Sequence, residues 1–238
     1  GQGATIAIAA LNVAGTKASG NIAVVDGGFN GALAVAGGGI SGELLFRPVG
    51  QIQRIEGHLA AKAATLDTVA LRSGKLDFVT LLDPAGTSIE ATATGLGLRR
   101  GALSLARFNG SASLRGGVGT IKASIAGSRG RAFDIQSVTQ VTANSYAISA
   151  QGTLDGRPLK LLTPAIVTQA EDGWHLAPTR LSFSGGEAQV GGRFTAASTA
   201  KSPSERRVIV TSPPGPTTAV PGRSAPTTLA PIRCASSR

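Results

Sequence analysis

Residues 119–126 read Gly-Thr-Ile-Lys-Ala-Ser-Ile-Ala. Successive side chains of an extended chain point to opposite faces, so Ile121, Ala123 and Ile125 share one face of a strand while Lys122 and Ser124 share the other. The alternation recurs downstream. Phe133 and Ile135 stand against Asp134 and Gln136; Tyr146, Ile148 and Ala150 against Ser149 and Gln151; Ala188, Val190 and Phe194 against Glu187, Gln189 and Arg193. Each run is a strand with one face for an apolar environment and one for water.

Turn signals separate these runs. Asp26-Gly27, Asn30-Gly31, Asn109-Gly110, Asp155-Gly156 and Asp172-Gly173 predict hairpins, because Asn, Asp and Gly accept the left-handed backbone of a tight turn. Gly38-Gly39, Gly116-Gly117 and Gly185-Gly186 also precede alternating runs, at spacings too irregular for a short-period solenoid. About 17–19 strands are expected before Ala200, against roughly 4–6 in an ordinary sheet. One extended sheet or solenoid accommodates them better than a sandwich; about 18 strands at roughly 4.8 Å would run on the order of 85 Å. In Leu59–Leu71 a helical spacing (Leu59, Ala63, Leu66, Ala70) competes with alternation through Ile55, Gly57, Leu59, Ala61 and Ala63, and alternation predicts strands.

Composition agrees. The 238 residues include 33 Gly, and at about 1 kcal/mol each relative to Ala these exclude a long helical bundle. Aromatics are only 4%, so small side chains supply most of the 42% hydrophobic content. One cysteine, Cys234, allows no internal disulfide framework, two histidines make no His-rich metal site, and no cofactor is expected. The first residues, Gly1-Gln2-Gly3, lack the pattern of a signal peptide and suggest a piece of a longer or processed chain. The net charge of +10 divides into 17 Lys+Arg against 12 Asp+Glu in residues 1–200, and 6 against 1 in 201–238. The last 38 residues hold seven of the 12 prolines and two of the glycines, so 1–200 is expected to be the repetitive β segment and 201–238 a disordered basic tail. Its charges are spread out and no aromatics interleave to stack on bases, so no nucleic acid is expected as a partner.

The search for chemistry finds no enzyme. Gly37–Gly42 matches a dinucleotide-binding string, but such a string must open a helix and Pro48 closes the next segment. His58 and His175 lie in no triad or nucleophile-elbow context. Asp83-Pro84-Ala85-Gly86 is turn chemistry. Arg99-Arg100 is able to bind phosphate but reads as the solvated end of a strand, and Trp174 reads as the staple of a hairpin to the apolar face.

From Leu154-Asp155-Gly156-Arg157-Pro158-Leu159 the chain continues through Thr163-Pro164-Ala165, Asp172-Gly173-Trp174-His175-Leu176-Ala177-Pro178, Leu181-Ser182-Phe183-Ser184-Gly185-Gly186-Glu187-Ala188 and Gly191-Gly192-Arg193-Phe194. With Leu71-Arg72-Ser73-Gly74-Lys75-Leu76, Leu81-Leu82-Asp83-Pro84-Ala85-Gly86 and Ala126-Gly127-Ser128-Arg129-Gly130-Arg131-Ala132-Phe133 upstream, this order resembles the TamB-type translocation and assembly module family, in the AsmA-like group of Gram-negative envelope proteins. The resemblance covers residues 30–195 and consists of degenerate turn-strand phrases. Residues 201–238 depart from the family pattern. Family members are much longer, with an N-terminal inner-membrane anchor and a C-terminal region that engages an outer-membrane barrel. The resemblance therefore implies an internal segment of a periplasmic, inner-membrane-anchored protein, whose barrel partner is met through other regions.

It implies an elongated, curled, all-β sheet of many short strands, an open trough or taco-like groove, that guides phospholipid between the two membranes without enzymatic chemistry. A role in outer-membrane protein assembly is also associated with the family. The candidate groove residues are Ile121, Ile125, Phe133, Ile135, Tyr146, Ile148, Leu181, Phe183, Val190 and Phe194. The same residues would also suit a closed β core. A secreted β-solenoid adhesin or passenger domain that binds no lipid is the alternative, while a transmembrane barrel needs aromatic girdles that one Tyr and one Trp do not supply.

Overall fold

The computed structural model describes residues 4–13, 15–171 and 173–194; the tail expected at 201–238 lies outside the described residues. The described chain is all β and forms one antiparallel sheet of 15 strands. In order these are β1 (Thr5–Val13), β2 (Thr16–Val25), β3 (Gly28–Gly37), β4 (Ile40–Val49), β5 (Ile52–Leu66), β6 (Val69–Leu82), β7 (Ser88–Arg100) and β8 (Leu103–Arg115). They continue with β9 (Val118–Arg129), β10 (Arg131–Val141), β11 (Ser145–Leu154), β12 (Arg157–Leu161), β13 (Ala165–Ala170), β14 (Gly173–Phe183) and β15 (Gly186–Phe194). From β1 to β12 each strand pairs with its successor; β14 then pairs with β12, β13 and β15, and β13 also with β11.

Fifteen strands replace the 17–19 expected, and several are long, β5 reaching 15 residues. The excess came from glycines that lie inside strands. Asn30-Gly31 and Asn109-Gly110 are not turns: Gly31 pairs with Ile22 and Phe46 within β3, and Gly110 with Ala93 and Ala123 within β8. The turns at Asp26-Gly27, Gly38-Gly39, Gly116-Gly117 and Asp155-Gly156 do form, whereas Asp172 lies outside the described residues. Leu59–Leu71 is strand, turn and strand, and the Gly37–Gly42 string is the β3–β4 hairpin. Thirteen steps from β1 to β15 make the sheet roughly 60 Å along its pairing direction rather than 85.

The main packing contacts among the described residues join sheet neighbours, and β3 also meets β5. That contact has a local cause. Pro48 in β4 has no backbone N–H, the β3–β4 ladder ends at Gly31–Phe46, and the Oε1 of buried Gln53 accepts the Phe29 N–H at 2.5 Å. No second layer of strands or helices packs on the sheet among the described residues.

A crease crosses four strands at Ala63, Arg72, Gly97 and Ala106. The ladders pair the residues on either side but omit Ala63–Arg72, Arg72–Gly97 and Gly97–Ala106, and the β8–β9 register shifts between Leu105 and Arg107. Ala63 and Gly97 take left-handed φ values of 50° and 67°. Residues three apart, which an unbroken strand would put on opposite faces, thereby share one: Ala61 with Ala64, Gly74 with Leu71, Gly95 with Leu98, Phe108 with Leu105. Leu96 goes to the other face beside Ser73 and Arg107 and is 44% exposed.

The crease makes opposite demands at two of its positions. Ala63→Gly should raise stability by about 0.5–1 kcal/mol, because the left-handed conformation costs an L-residue more than glycine's added unfolded freedom. Gly97→Val should lower it by about 2 kcal/mol or more, because a side chain there is strained and a Cβ would stand 2.9 Å from that of Arg72. Denaturant midpoints of the two variants read the sign directly.

Candidate functional site

Residues paired across an antiparallel ladder present side chains on the same face, so the registers assign every strand position. One row runs Ile6, Ile22, Gly31, Phe46, Ile55, Thr80, Ile89, Leu114, Gly119, Val141, Tyr146, Val167, Leu176 and Gly192. It crosses fourteen of the fifteen strands with two hydroxyls, those of Thr80 and Tyr146, and no charge. A second row runs Ile8, Gly20, Leu33, Leu44, Gly57, Phe78, Ala91, Ala112, Ile121, Thr139, Ile148 and Ala165. A third runs Ile40, Ala61, Gly74, Gly95, Phe108, Ile125, Ile135, Gly152, Leu159, Phe183 and Gly186.

The opposite face carries Asn12, Lys17, Ala36, Ser41, Ala60, Lys75, Thr94, Asn109, Ser124, Gln136, Gln151, Lys160, Ser182 and Glu187 in the equivalent row. The sheet is therefore two-sided from end to end. Each of the ten candidate residues falls on the apolar side. Ile121 pairs with Thr139 and through it with Ile148, Ile125 pairs with Ile135, and Phe133 and Tyr146 stand two residues from Ile135 and Ile148. Leu181 and Phe183 pair with Leu161 and Leu159, Val190 with Thr179, and Phe194 with Trp174.

Alternation in the C-terminal half pointed to only part of this face. It continues through β1–β8, where Leu33, Leu44, Phe46, Phe78 and Phe108 stand among the glycines that obscured the period. Two of these glycines receive aromatic rings. A Cβ at Gly57 would strike the ring of Phe78, and one at Gly95 the ring of Phe108, so both rings lie over a neighbouring strand's backbone. These two rings fill the sheet surface instead of projecting from it.

Some members of this face are buried: Leu33 in β3 is 5% exposed and Val141 at the end of β10 is 7% exposed. Toward the ends the face opens, with Ile6 at 48% and Phe194 at 57%. A sheet roughly 60 Å long with strands of about 30 Å presents on the order of 1,800 Å², against the few hundred typical of a soluble monomer's largest patch. No strand or helix of the described chain packs on it.

Titratable groups gather on the polar face. Arg54–Glu56 (2.7 Å), His58–Asp77 (2.8 Å), Arg107–Asp134 (2.6 Å) and Arg180–Glu187 pair there. Glu56 is held below the usual carboxylate range mainly by its hydrogen bond with Arg54. His58 is raised above 6.5 mainly by its hydrogen bond to Asp77, with Glu43 and Glu56 adding to the effect. A solvent-open depression of about 640 Å³ lies on this face between Lys122 and Lys160, lined by Ser, Gln and the Leu162–Pro164 loop. Trp174 meets Tyr146 with ring centroids 5.6 Å apart, on the apolar face.

Because the folded pKa of His58 is raised, the His58–Asp77 pair stabilises the sheet below pH 6.5 and that contribution fades as pH rises through the raised value. A nuclear magnetic resonance titration should place the His58 midpoint above 6.5, and Asp77→Asn should bring it back toward 6.5. An unchanged midpoint in that variant would show that Asp77 is not the cause.

No protein-family model matches the chain, and no curated protein or solved structure matches it.

Proposed function

We propose that residues 4–194 form a segment of a periplasmic lipid conduit, in which the apolar face shields phospholipid acyl chains on their way between the inner and outer membranes. The observation that supports this most is a face free of charge along its middle, crossing all the strands, with no layer of the described chain upon it. Burial contributes about 0.8 kcal/mol per CH₂, so a chain of about 16 carbons on this face recovers on the order of 12 kcal/mol, close to its gain in a bilayer. Equal environments at both ends and along the way let a lipid move without a deep trap. The successive rows of Ala, Val, Ile, Leu and glycine give such a uniform surface.

The resemblance to TamB-type proteins supplies the setting: a longer protein anchored in the inner membrane, engaging an outer-membrane barrel through other regions and possessing a role in outer-membrane protein assembly through them. Residues 4–194 do no bond-breaking chemistry in this reading. The fully antiparallel pairing gives no support to the solenoid adhesin, whose stacked coils run parallel.

Ile135 and Gln136 test the reading with the same chemistry one residue apart. Ile135→Asp puts a carboxylate on the apolar face, where its desolvation is costly, and lipid photocrosslinking from probes at Phe133 and Ile148 should fall sharply while the melting temperature changes little. Gln136→Asp, on the polar face beside Ser124 and Gln151, should leave both unchanged. A collapsed melt for Ile135→Asp would mean a packed core, and equal loss of crosslinking in both variants would remove the groove.

A further inference from the structure

The registers place only four charged residues of the described chain on the apolar face: Arg100, Arg129, Arg131 and Arg157. Arg100 stands two residues beyond Leu98 and pairs with Leu103; Arg129 and Arg131 pair with each other beside Gly127 and Phe133; Arg157 pairs with Leu154. All four lie at one rim, at the β7–β8, β9–β10 and β11–β12 turns. These turns follow one another at two strand spacings, about 10 Å. At the opposite rim the last pairs of the same face are uncharged: Val24–Phe29, Pro48–Gln53, Val141–Tyr146 and Trp174–Phe194.

Arg129 and Arg131 face each other across a single glycine, Gly130, an arrangement of like charges that is unfavourable unless an anion sits between them. Asp155 answers one of them, lying 3.4 Å from the Arg131 guanidinium, and the other three arginines have no carboxylate partner. Exposed guanidinium groups edging an apolar surface fit an amphiphile whose polar end is a phosphate, since the planar fork matches phosphate oxygens.

We propose that this rim holds the phosphate headgroup of an acyl lipid, so that lipids lie across the sheet with headgroups at the β7–β12 turns and tails running along the strands toward the uncharged rim. Rows on the face are about 6.7 Å apart along the strands. One leaflet of tails, about 15 Å, reaches from the arginines past Leu105 and Phe133 to the row of Phe108, Ile125 and Ile135. The sheet thereby selects which end of the lipid faces which rim. This assignment rests on the acyl-shielding reading above and adds the headgroup to it.

The test is uptake of fluorescent phosphatidylglycerol or fluorescent diacylglycerol from phosphatidylcholine vesicles, read as label bound to the purified chain after the vesicles are removed. Wild type should take up both, favouring phosphatidylglycerol by about tenfold, the effect of one or two lost charge-assisted hydrogen bonds. R100Q/R129Q/R157Q, which leaves the Arg131–Asp155 pair in place, should lose that preference while taking up diacylglycerol as wild type does; this retained uptake also shows that the variant is folded. K75Q/K122Q/K160Q removes equal charge from the polar face and should keep the preference. Uptake of both lipids with no preference, or a preference that survives in the arginine variant, would overturn the headgroup site while leaving the conduit standing. Uptake of neither lipid by wild type would remove the conduit and the headgroup site together. Vesicle adsorption without transfer would mark the rim as a membrane-contact patch, and full displacement by inorganic phosphate would mark it as a small-anion site; either outcome contradicts the proposal.

Discussion

Backbone hydrogen bonds between successive strands hold this structure, because the layer-on-layer packing that stabilises most domains has no counterpart among the described residues. Each strand is fixed by its neighbours in the sheet, and a slip of one residue would turn its whole apolar set to the polar face. The registers avoid that slip along the full sheet, from Ile6–Ile22 at one end to Leu176–Gly192 at the other. Where a straight strand would break the two-sidedness, in β5–β8, the crease at Ala63, Arg72, Gly97 and Ala106 restores it. A local backbone irregularity thus serves the continuity of the surface.

Glycine explains how such a surface stays smooth. Gly57 and Gly95 accept the rings of Phe78 and Phe108, and many other mid-strand glycines occupy the apolar face, so large side chains on one strand lie beside gaps on the next. A compact core would be filled by interdigitating large residues from two layers. Here the fill is lateral, within one layer, and the outward-facing apolar surface remains available to something else.

Much of this was legible in the sequence. Gly119–Ala126 and its downstream counterparts specified strands and the facing of eight of the candidate residues, from Ile121 to Phe194, because period 2 needs no knowledge of partners. The strand count was not legible, since Asn30-Gly31 and Asn109-Gly110 have the chemistry of a hairpin turn yet sit inside β3 and β8, where pairing on both sides decides the conformation. Leu96 and Leu98 look like members of one face by alternation, and only the crease at Gly97 separates them. The arginine rim was hidden for a similar reason. Arg99-Arg100 reads as a solvated strand end until the ladder puts Arg100 on the side of Leu98 and Leu103, in line with arginines some thirty and sixty residues further on.

A surface of this extent, uncovered by the described chain, suits the acyl-lipid occupant proposed above. Native mass spectrometry of the chain, purified without detergent from a bacterial envelope fraction, tests it most directly. The account predicts a monomer carrying one or more phospholipid masses that depart together with its solubility when lipid is stripped. A soluble, monomeric, lipid-free chain would contradict it, and so would a lipid-free dimer with the two apolar faces protected against each other.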